Sequence, residues 1–499
     1  MNTIVERACC KNKRKNISKR NEGGITMIYK NESNDIFFHN YRSTLIDYLK
    51  REYNYDDSPL VYSTKYVKKG DFTIKRPSSV YKNCKLVNGY PHFNVPYEIL
   101  MEEINNFCLR KPLYNKNIII RYGDTHLYNP IPKLNQVRNL IIANIFDSMI
   151  QTSGKKCSIY VIGDIDRKSM DKIVQRIDRN KSEEIIPKLI NFISISDDIN
   201  QKYLQIWKEL NTESKEKIEE FMQKLSLQVP IIIPESSLYR NKELYNKIRQ
   251  GIVYENGVRD DGTFKYPLQE LMFILTANNK NASSLNVIGS NQTDHVLKVL
   301  DVMRENNLTC ETEFLTYGIC KNGDSREIEE WSEIIKNYIE KNHIMLDGEL
   351  VKYQDFLKII VASQGNTGII DFYDLNKYKA DFEKFKVICA SRKMSFNIAK
   401  ENRTTKINKE NCDLINKMAL ANYYLNLAVK SGEQSRFFSY LYSVSREYIK
   451  NSKQYEIYSN LFYNFISSAL QYICLDHIEN FRLREVENKD DLPRAFERE

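Results

Sequence analysis

Two short apolar runs with a helical pattern between them constrain the fold of this chain more than any other part of its sequence. Residues 117–122 read Asn-Ile-Ile-Ile-Arg-Tyr, and residues 157–162 read Cys-Ser-Ile-Tyr-Val-Ile. Residues 137–150 carry apolar side chains at the three- and four-residue spacing of a helix. A strand, a helix and a strand within about fifty residues predict a right-handed βαβ unit of a parallel sheet.

Further apolar runs extend this unit into a larger sheet. Residues 230–234 and 285–289 have the length and composition of buried strands. Residues 168–228, in contrast, are highly charged and show only helical spacing. We therefore predict an α/β sheet domain over residues 111–345 that is interrupted by a helical insertion near 168–228.

The segments on either side of this domain have different patterns. Residues 27–110 combine short apolar alternations with helical stretches, including a strand within 86–95 and a helix over 97–107, which indicates a small α+β module. Beyond residue 345 the strand patterns fade and apolar residues recur at helical spacing. Residues 346–499 are therefore predicted to form a helical bundle, and the fold class is α/β plus all-α.

Charge and composition exclude several classes of protein. The 499 residues include 74 Lys and Arg against 65 Asp and Glu, a net charge of +9, and 42% are hydrophobic, which is typical of a globular protein. No apolar stretch reaches the length of a membrane span. The ten Cys show no spacing suited to zinc. We expect a cytoplasmic protein with reduced thiols, no metal site and no membrane association.

Positive charge is concentrated near the N-terminus. Residues 1–26 hold seven basic and two acidic residues, so this segment alone contributes +5. A mobile basic arm would add affinity for RNA, and a solvated tail is the alternative. In a third interpretation, Glu22-Gly23-Gly24 is a purine-rich ribosome-binding site read through as protein, and translation starts at Met27.

Several segments, in the order in which they occur, resemble the class I arginyl-tRNA synthetase family. Gly70-Asp-Phe is similar to an early Gly-Asp-Tyr element, and residues 117–164 resemble the first βαβ unit of the catalytic domain. Residues 259–273 are similar to the SDGTxxY…RDxxY stretch, and residues 286–295 to the VVGxxQxxH stretch. The resemblance implies a Rossmann-type class I synthetase catalytic domain, an N-terminal tRNA-contacting module and a helical anticodon-binding domain that includes residues 413–475.

The resemblance places an ATP site at the start of the helix after the first strand, where family members carry the HIGH signature. Its histidines stabilise negative charge while the carboxylate of the amino acid attacks the α-phosphate. Here the histidine positions match Lys133 and Gln136, and the glycine between them matches Asn135. In one interpretation Lys133 supplies a cation and Gln136 a hydrogen bond to a weakened ATP site. The alternative, which we favour, is a helix start with polar caps and no catalysis.

A KMSK-like loop is the second ATP-binding element of the family, and its lysine neutralises the pyrophosphate. Residues 316–327 match the position of this loop, with Lys321 and Arg326 as the candidate basic groups. The loop is shortened, and Asp324 and Glu327 oppose the binding of phosphate. An ordinary turn between a strand and a helix is the alternative that we favour.

The family's amino-acid pocket has better matches in this sequence. In the family, a Tyr and an acidic residue one helical turn later bind the guanidinium of arginine, and a Gln helps to orient it. Tyr266, Glu270 and Gln292 match these three positions, with Glu270 in place of the usual Asp. A carboxylate suits a planar cation, and the four-residue spacing puts the first two on one helix face. For the nucleotide, the resemblance implies contacts from Asn135, Gly289 and His295.

The leading hypothesis is an arginyl-tRNA synthetase-like protein that binds tRNA and arginine or an arginine-like ligand, with ATP-dependent aminoacylation weak or lost. ATP with magnesium would be its cofactor only if ligase activity survives, and we expect a monomer. Three alternatives remain. They are a functional arginine–tRNA ligase with divergent ATP motifs, an aminoacyl-tRNA-dependent transferase in peptide or metabolite biosynthesis, and a non-catalytic regulator that binds tRNA or arginine.

Overall fold

The computed structural model describes most of the chain. The described residues are 28–30, 41–56, 60–62, 71–74, 81–165, 167–176, 201–239, 241–254, 257–259, 264–321, 328–365, 368–401 and 412–476. The predictions for the basic segment 1–26 and for Arg326 lie outside these residues.

The described elements alternate between strands and helices in the first two thirds of the chain and are mainly helical afterwards. The strands are β1 Ile28–Lys30, β2 Leu60–Tyr62, β3 Phe72–Ile74, β4 Lys85–Val87, β5 Tyr90–Phe93, β6 Asn117–His126, β7 Lys156–Gly163, β8 Ile231–Pro234, β9 Ala282–Gly289, β10 Thr312–Tyr317, β11 Met345–Leu346 and β12 Glu349–Leu350. The helices are α1 Thr44–Tyr53, α2 Tyr97–Cys108, α3 Leu134–Met149, α4 Arg167–Gln175, α5 Gln201–Lys224, α6 Ser236–Tyr239, α7 Lys242–Gly251, α8 Tyr266–Asn279, α9 Thr293–Glu305, α10 Ile328–Lys341, α11 Tyr353–Ser363, α12 Lys379–Glu401, α13 Cys412–Ala419, α14 Ala421–Ser431, α15 Gln434–Lys450 and α16 Ser459–Tyr472.

A six-stranded sheet in the order β1-β10-β9-β6-β7-β8 lies at the centre of the fold. The strands from β10 to β8 pair in parallel, and β1 runs antiparallel at one edge. The predicted βαβ unit is confirmed as β6, α3 and β7. The strand order reverses between β6 and β9, and in doubly wound sheets of this kind a ligand crevice forms outside the carboxyl ends of the strands at the reversal.

The two faces of the sheet belong to different hydrophobic cores. Ile118 and Ile120 of β6 lie in a first core together with α3, whereas Ile119 between them lies in a second core with α8 and α9. This alternation follows from the two-residue period of a strand. Nearly every residue of α3 is buried, as expected of a helix enclosed between the sheet and other helices.

The N-terminal segment differs from the prediction in two respects. First, β1 does not belong to a separate module over residues 27–110, because it pairs with β10 and completes the central sheet. Second, residues 86–95 contribute to a hairpin of β4 and β5 instead of one strand. Asn88 and Gly89 adopt φ angles of 53° and 81°, which is the left-handed backbone of a tight two-residue hairpin turn. The helix predicted over residues 97–107 is confirmed as α2.

The first core joins regions that the sequence separates. Phe107 of α2 packs against Phe465 and Tyr472 of α16, with ring centroids 5.1 and 4.9 Å apart. Asn422 of α14 donates a hydrogen bond of 2.8 Å to the buried carboxylate of Glu103 in α2. The N-terminal module, one face of the central sheet and the C-terminal helices therefore share one hydrophobic interior.

The described part of the predicted helical insertion consists of α4 and α5. These helices form a small third core with Leu127, which follows β6. Within the described ranges, no helix is both long enough and apolar enough to cross a membrane.

Candidate functional site

A bulge interrupts β6 near its carboxyl end, beside the reversal of strand order. The pairing of β6 with β7 shifts register between Tyr122 and Thr125, and Gly123 at the bulge has a φ of 103°. A Cβ on Gly123 would lie 2.9 Å from ring atoms of Tyr160. The bulge therefore depends on glycine, and it returns the end of β6 to its pairing with β7.

Polar groups at the start of α3 form hydrogen bonds with other groups of the same chain. The backbone N–H of Lys133 donates a hydrogen bond of 2.7 Å to Oε1 of Gln136. Oδ1 of the buried Asn135 accepts a hydrogen bond of 2.5 Å from the backbone N–H of Cys320. The structure thus places Lys133, Asn135 and Gln136 together at the start of α3. The side chain of Gln136 caps the helix, and that of Asn135 binds the segment after β10.

Arg138 reinforces this attachment. Its buried guanidinium donates hydrogen bonds to the backbone carbonyls of Ile319, Gly365 and Gly368, at 2.7 to 3.3 Å. Burial lowers the pKa of Arg138 from its ordinary value. The residue connects α3 to the segment after β10 and to the loop after α11.

Lys321 follows the same segment and lies close to the start of α3. Its Nζ lies 3.1 Å from Oδ2 of Asp371 in an ion pair. The structure brings Lys321 near Asn135 through the neighbouring Cys320, whereas Arg326 lies outside the described residues. Asp371 was not identified from the sequence, because it lies 50 residues away and carries no local pattern.

The N-termini of α8 and α9 meet on the other side of the reversal. The rings of Tyr266 and His295 have centroids 4.7 Å apart, and Gln292 precedes the first residue of α9. Gly289 ends β9, and a Cβ there would lie 2.5 Å from Oδ1 of Asn291. The structure therefore brings Tyr266 and His295 together and puts Gln292 at the start of the helix that carries His295, and the chain's own Asn291 occupies the space beside Gly289.

Glu270 lies one helical turn further along α8 and forms an ion pair with Arg121 of β6. The Glu270 side chain is 2% exposed and that of Arg121 is 15% exposed. Cζ of Arg121 lies 5.0 Å from the ring centroid of Phe273. Burial acts to lower the pKa of Arg121, but the charge and the hydrogen bond of Glu270, with smaller contributions from Tyr266 and Glu235, together outweigh it. The pKa is therefore raised and the guanidinium stays charged.

Arg121 was not assigned a role from the sequence. It is the charged residue within the apolar run of residues 117–122, and that signal was available. A charge on a buried strand requires a partner, which indicates that a carboxylate lies nearby. The partner itself could not be read from the sequence, because Glu270 is 149 residues away.

Among the described residues, no group of three or more His, Cys, Asp or Glu is placed to hold a metal ion.

Solved structures with a similar fold include arginyl-tRNA synthetases. The enzyme from Thermus thermophilus is 10% identical with a TM-score of 0.55, and the match covers 84% of this chain and 94% of that one. The enzyme from Plasmodium falciparum is 10% identical with a TM-score of 0.59, covering 87% and 96%. No protein family model and no curated protein matches the sequence. At these identities the likeness shows the fold, and the predicted class is confirmed as a Rossmann-type class I synthetase fold with a helical C-terminal region.

Proposed function

We propose that this protein is a synthetase-like protein that binds tRNA and in which ATP-dependent activation of arginine is weak or lost. The observation that carries the proposal is the extent of the fold likeness. The likeness covers 94% and 96% of two arginyl-tRNA synthetases, so it includes the N-terminal and C-terminal regions that flank the central sheet in sequence. Recognition of tRNA needs these regions together, because a large RNA contacts a protein over a broad surface.

The geometry at the carboxyl edge of the sheet supports the loss of ATP chemistry. A phosphate site at a helix N-terminus needs close backbone approach and unengaged donors or cations. Here Asn135 and Gln136 bond within the chain, and Lys321 is paired with Asp371. These residues do not fit a triphosphate in this arrangement, and we derive no catalytic step through ATP.

The first test measures tRNA binding by the full-length protein. We expect bulk tRNA to bind more tightly than an unstructured RNA of equal length in a filter-binding assay. The logarithm of affinity should fall linearly with the logarithm of salt concentration, since phosphate contacts release counterions. Equal affinity for the two RNAs would refute the proposal.

The second test is ATP–pyrophosphate exchange with arginine, in the presence and absence of tRNA. We expect a rate below about one thousandth of that of a working arginyl-tRNA synthetase, because each lost donor to the transition state costs about 10²- to 10³-fold. Arginine-dependent exchange near the reference rate would establish a ligase with divergent motifs. In that event Lys133→Ala and Lys321→Ala identify which lysine supplies the charge.

Preloaded arginyl-tRNA separates the remaining alternatives. A transferase would move the arginyl group to a peptide or small acceptor without ATP, and a binder would leave the ester intact. Product analysis by mass spectrometry distinguishes these results. We expect intact arginyl-tRNA.

A further inference from the structure

We propose that Arg121 is a built-in guanidinium ligand that fills a guanidinium-binding site in the crevice, so that the folded protein excludes free arginine from it. This inference rests on the proposed function, because it assumes that the crevice is that of a synthetase-like protein. Its test needs neither tRNA nor ATP, so its failure can be told apart from failure of the proposed function.

Arg121 lies next to the reversal of strand order. Its Cα pairs with Asn286 of β9 on one side and with Ile159 of β7 on the other, two residues before the bulge at Gly123. Its side chain points to the face of the sheet that α8 covers, where it meets Glu270. Arg121 is the last residue of β6 that pairs with β9, so its guanidinium lies beside the point where the pairing of the two central strands ends, next to the place where such a fold has its ligand crevice.

The surroundings of this guanidinium have the chemistry of a recognition site. A planar cation is bound well by a carboxylate that accepts its N–H groups and by an aromatic ring. Glu270 supplies the carboxylate, and Phe273, three residues later on the same helix face, supplies the ring. Nε of Arg121 is buried and has no hydrogen-bond partner in the described part of the chain, so the contacts act on the terminal fork and the ring plane.

The degree of burial distinguishes this pair from the other arginine–carboxylate pairs of the described residues. The side chains of Arg176 and Glu213 are 40% and 44% exposed, and those of Arg304 and Asp301 are 65% and 57% exposed. Neither of those pairs would prevent a ligand from reaching its carboxylate. Free arginine could reach Glu270 only by displacing Arg121 and leaving its charge buried without compensation, which is strongly unfavourable.

The test compares the wild type with Arg121→Ala in titrations with L-arginine and with L-citrulline, monitored by calorimetry and thermal unfolding. Citrulline has nearly the shape of arginine but no charge. We expect Arg121→Ala to bind arginine at least about tenfold more tightly than the wild type does, and to gain no affinity for citrulline. Arg304→Ala, which removes an exposed arginine from an ion pair, is the matched control and should behave as the wild type.

A double variant ties any gain to the carboxylate. Arg121→Ala with Glu270→Gln should lose the gain in arginine affinity, because the neutral amide no longer attracts the cation. Wild-type protein that binds arginine as tightly as Arg121→Ala would overturn the inference. So would an Arg121→Ala variant that gains no affinity, or a gain that survives in the double variant.

If Arg121→Ala does not fold in the absence of a ligand, its refolding tests the same inference. Refolding is then carried out in the presence of L-arginine or L-citrulline, and the yield of folded protein is measured by size-exclusion chromatography. Recovery with arginine only, and absent in the double variant, supports the inference. Equal recovery with both additives, or with neither, overturns it.

Discussion

Asp164 shows how a single buried residue makes the stability of this fold depend on pH. Its carboxylate follows β7, is fully buried, and accepts hydrogen bonds of 2.9 and 2.7 Å from the backbone N–H and the hydroxyl of Ser236. Asn211 of α5 donates a third, longer hydrogen bond. Burial raises the pKa of Asp164 to about 6, although the hydrogen bonds from Ser236 act in the opposite direction.

The sign of the resulting pH dependence follows from linkage. Between about pH 4 and pH 6 the native state binds more protons at Asp164 than the unfolded state does, so the free energy of unfolding falls as pH rises through this window. We predict that Asp164→Asn removes this decline, because an amide does not titrate in this range. Its Oδ1 can still accept from the backbone N–H of Ser236, and its Nδ2 can donate to the Ser236 hydroxyl oxygen in place of the bond that the hydroxyl donates in the wild type. Relative to the wild type, the variant should gain on the order of 3 kcal/mol between pH 4 and pH 7, given about 1.4 kcal/mol per pKa unit.

Urea unfolding at a series of pH values measures the effect. Asp301→Asn is the matched control, because Asp301 is 57% exposed and its ion pair is a surface pair. The difference between that control and the wild type should change little with pH. A constant difference for Asp164→Asn across the same window would contradict the prediction.

At the scale of elements, the bulge in β6 depends on both the backbone and the packing at one glycine. Gly123 has a left-handed φ of 103°, and a side chain there would also meet the ring of Tyr160 and the carbonyl oxygen of Val161. Tyr160 in turn lies within hydrogen-bonding distance of Thr125, with 2.9 Å between their hydroxyl oxygens. A side chain at position 123 would therefore disturb the pairing of β6 and β7 beside the crevice.

We predict that Gly123→Ala lowers the free energy of unfolding by about 2–5 kcal/mol, from backbone strain and steric overlap together. Gly348 separates the two causes, because its φ is 84° but no atom lies within 4 Å of an added Cβ. Gly348→Ala should cost only about 1–2 kcal/mol, the cost of the backbone alone. Equal losses for the two variants in urea unfolding would show that contact with Tyr160 contributes nothing.

At the scale of the whole molecule, the shared first core predicts that distant regions unfold together. Trp331 lies in that core, whereas Trp207 lies in the small core of the insertion. These are the two tryptophans of the chain, so Trp207→Phe leaves Trp331 as the only fluorescent indole. Fluorescence in this background therefore reports on the first core.

In the Trp207→Phe background we predict that Phe107→Ala lowers stability by about 3–5 kcal/mol and shifts the Trp331 transition to lower urea. Phe107 joins α2 to α16, so its loss weakens the interior that holds Trp331. Leu210→Ala, which truncates a buried residue of the insertion core, is the control and should shift this transition less. An unchanged Trp331 transition in Phe107→Ala would show that the regions unfold independently.

The sequence by itself determined the central βαβ unit, the helix after residue 97, the helical C-terminal region and the fold class, because apolar periodicity and strand length are local properties. The sequence predicted turns only in part. The run over residues 86–95 was interpreted as one strand, whereas the structure forms a hairpin there with Asn88 and Gly89 in its turn. The apolar pattern began at residue 137, whereas the helix begins at Leu134, where the Gln136 side chain accepts a hydrogen bond from the backbone N–H of Lys133.

Only the tertiary structure decided which partners these residues have. β1 joins β10, Asn135 binds the backbone of Cys320, Lys321 pairs with Asp371, and Glu270 pairs with Arg121. Each of these contacts joins segments at least 50 residues apart, and the last one spans 149 residues. A buried polar group must be satisfied, but its partner is set by how helices and strands pack, and that packing depends on the whole chain.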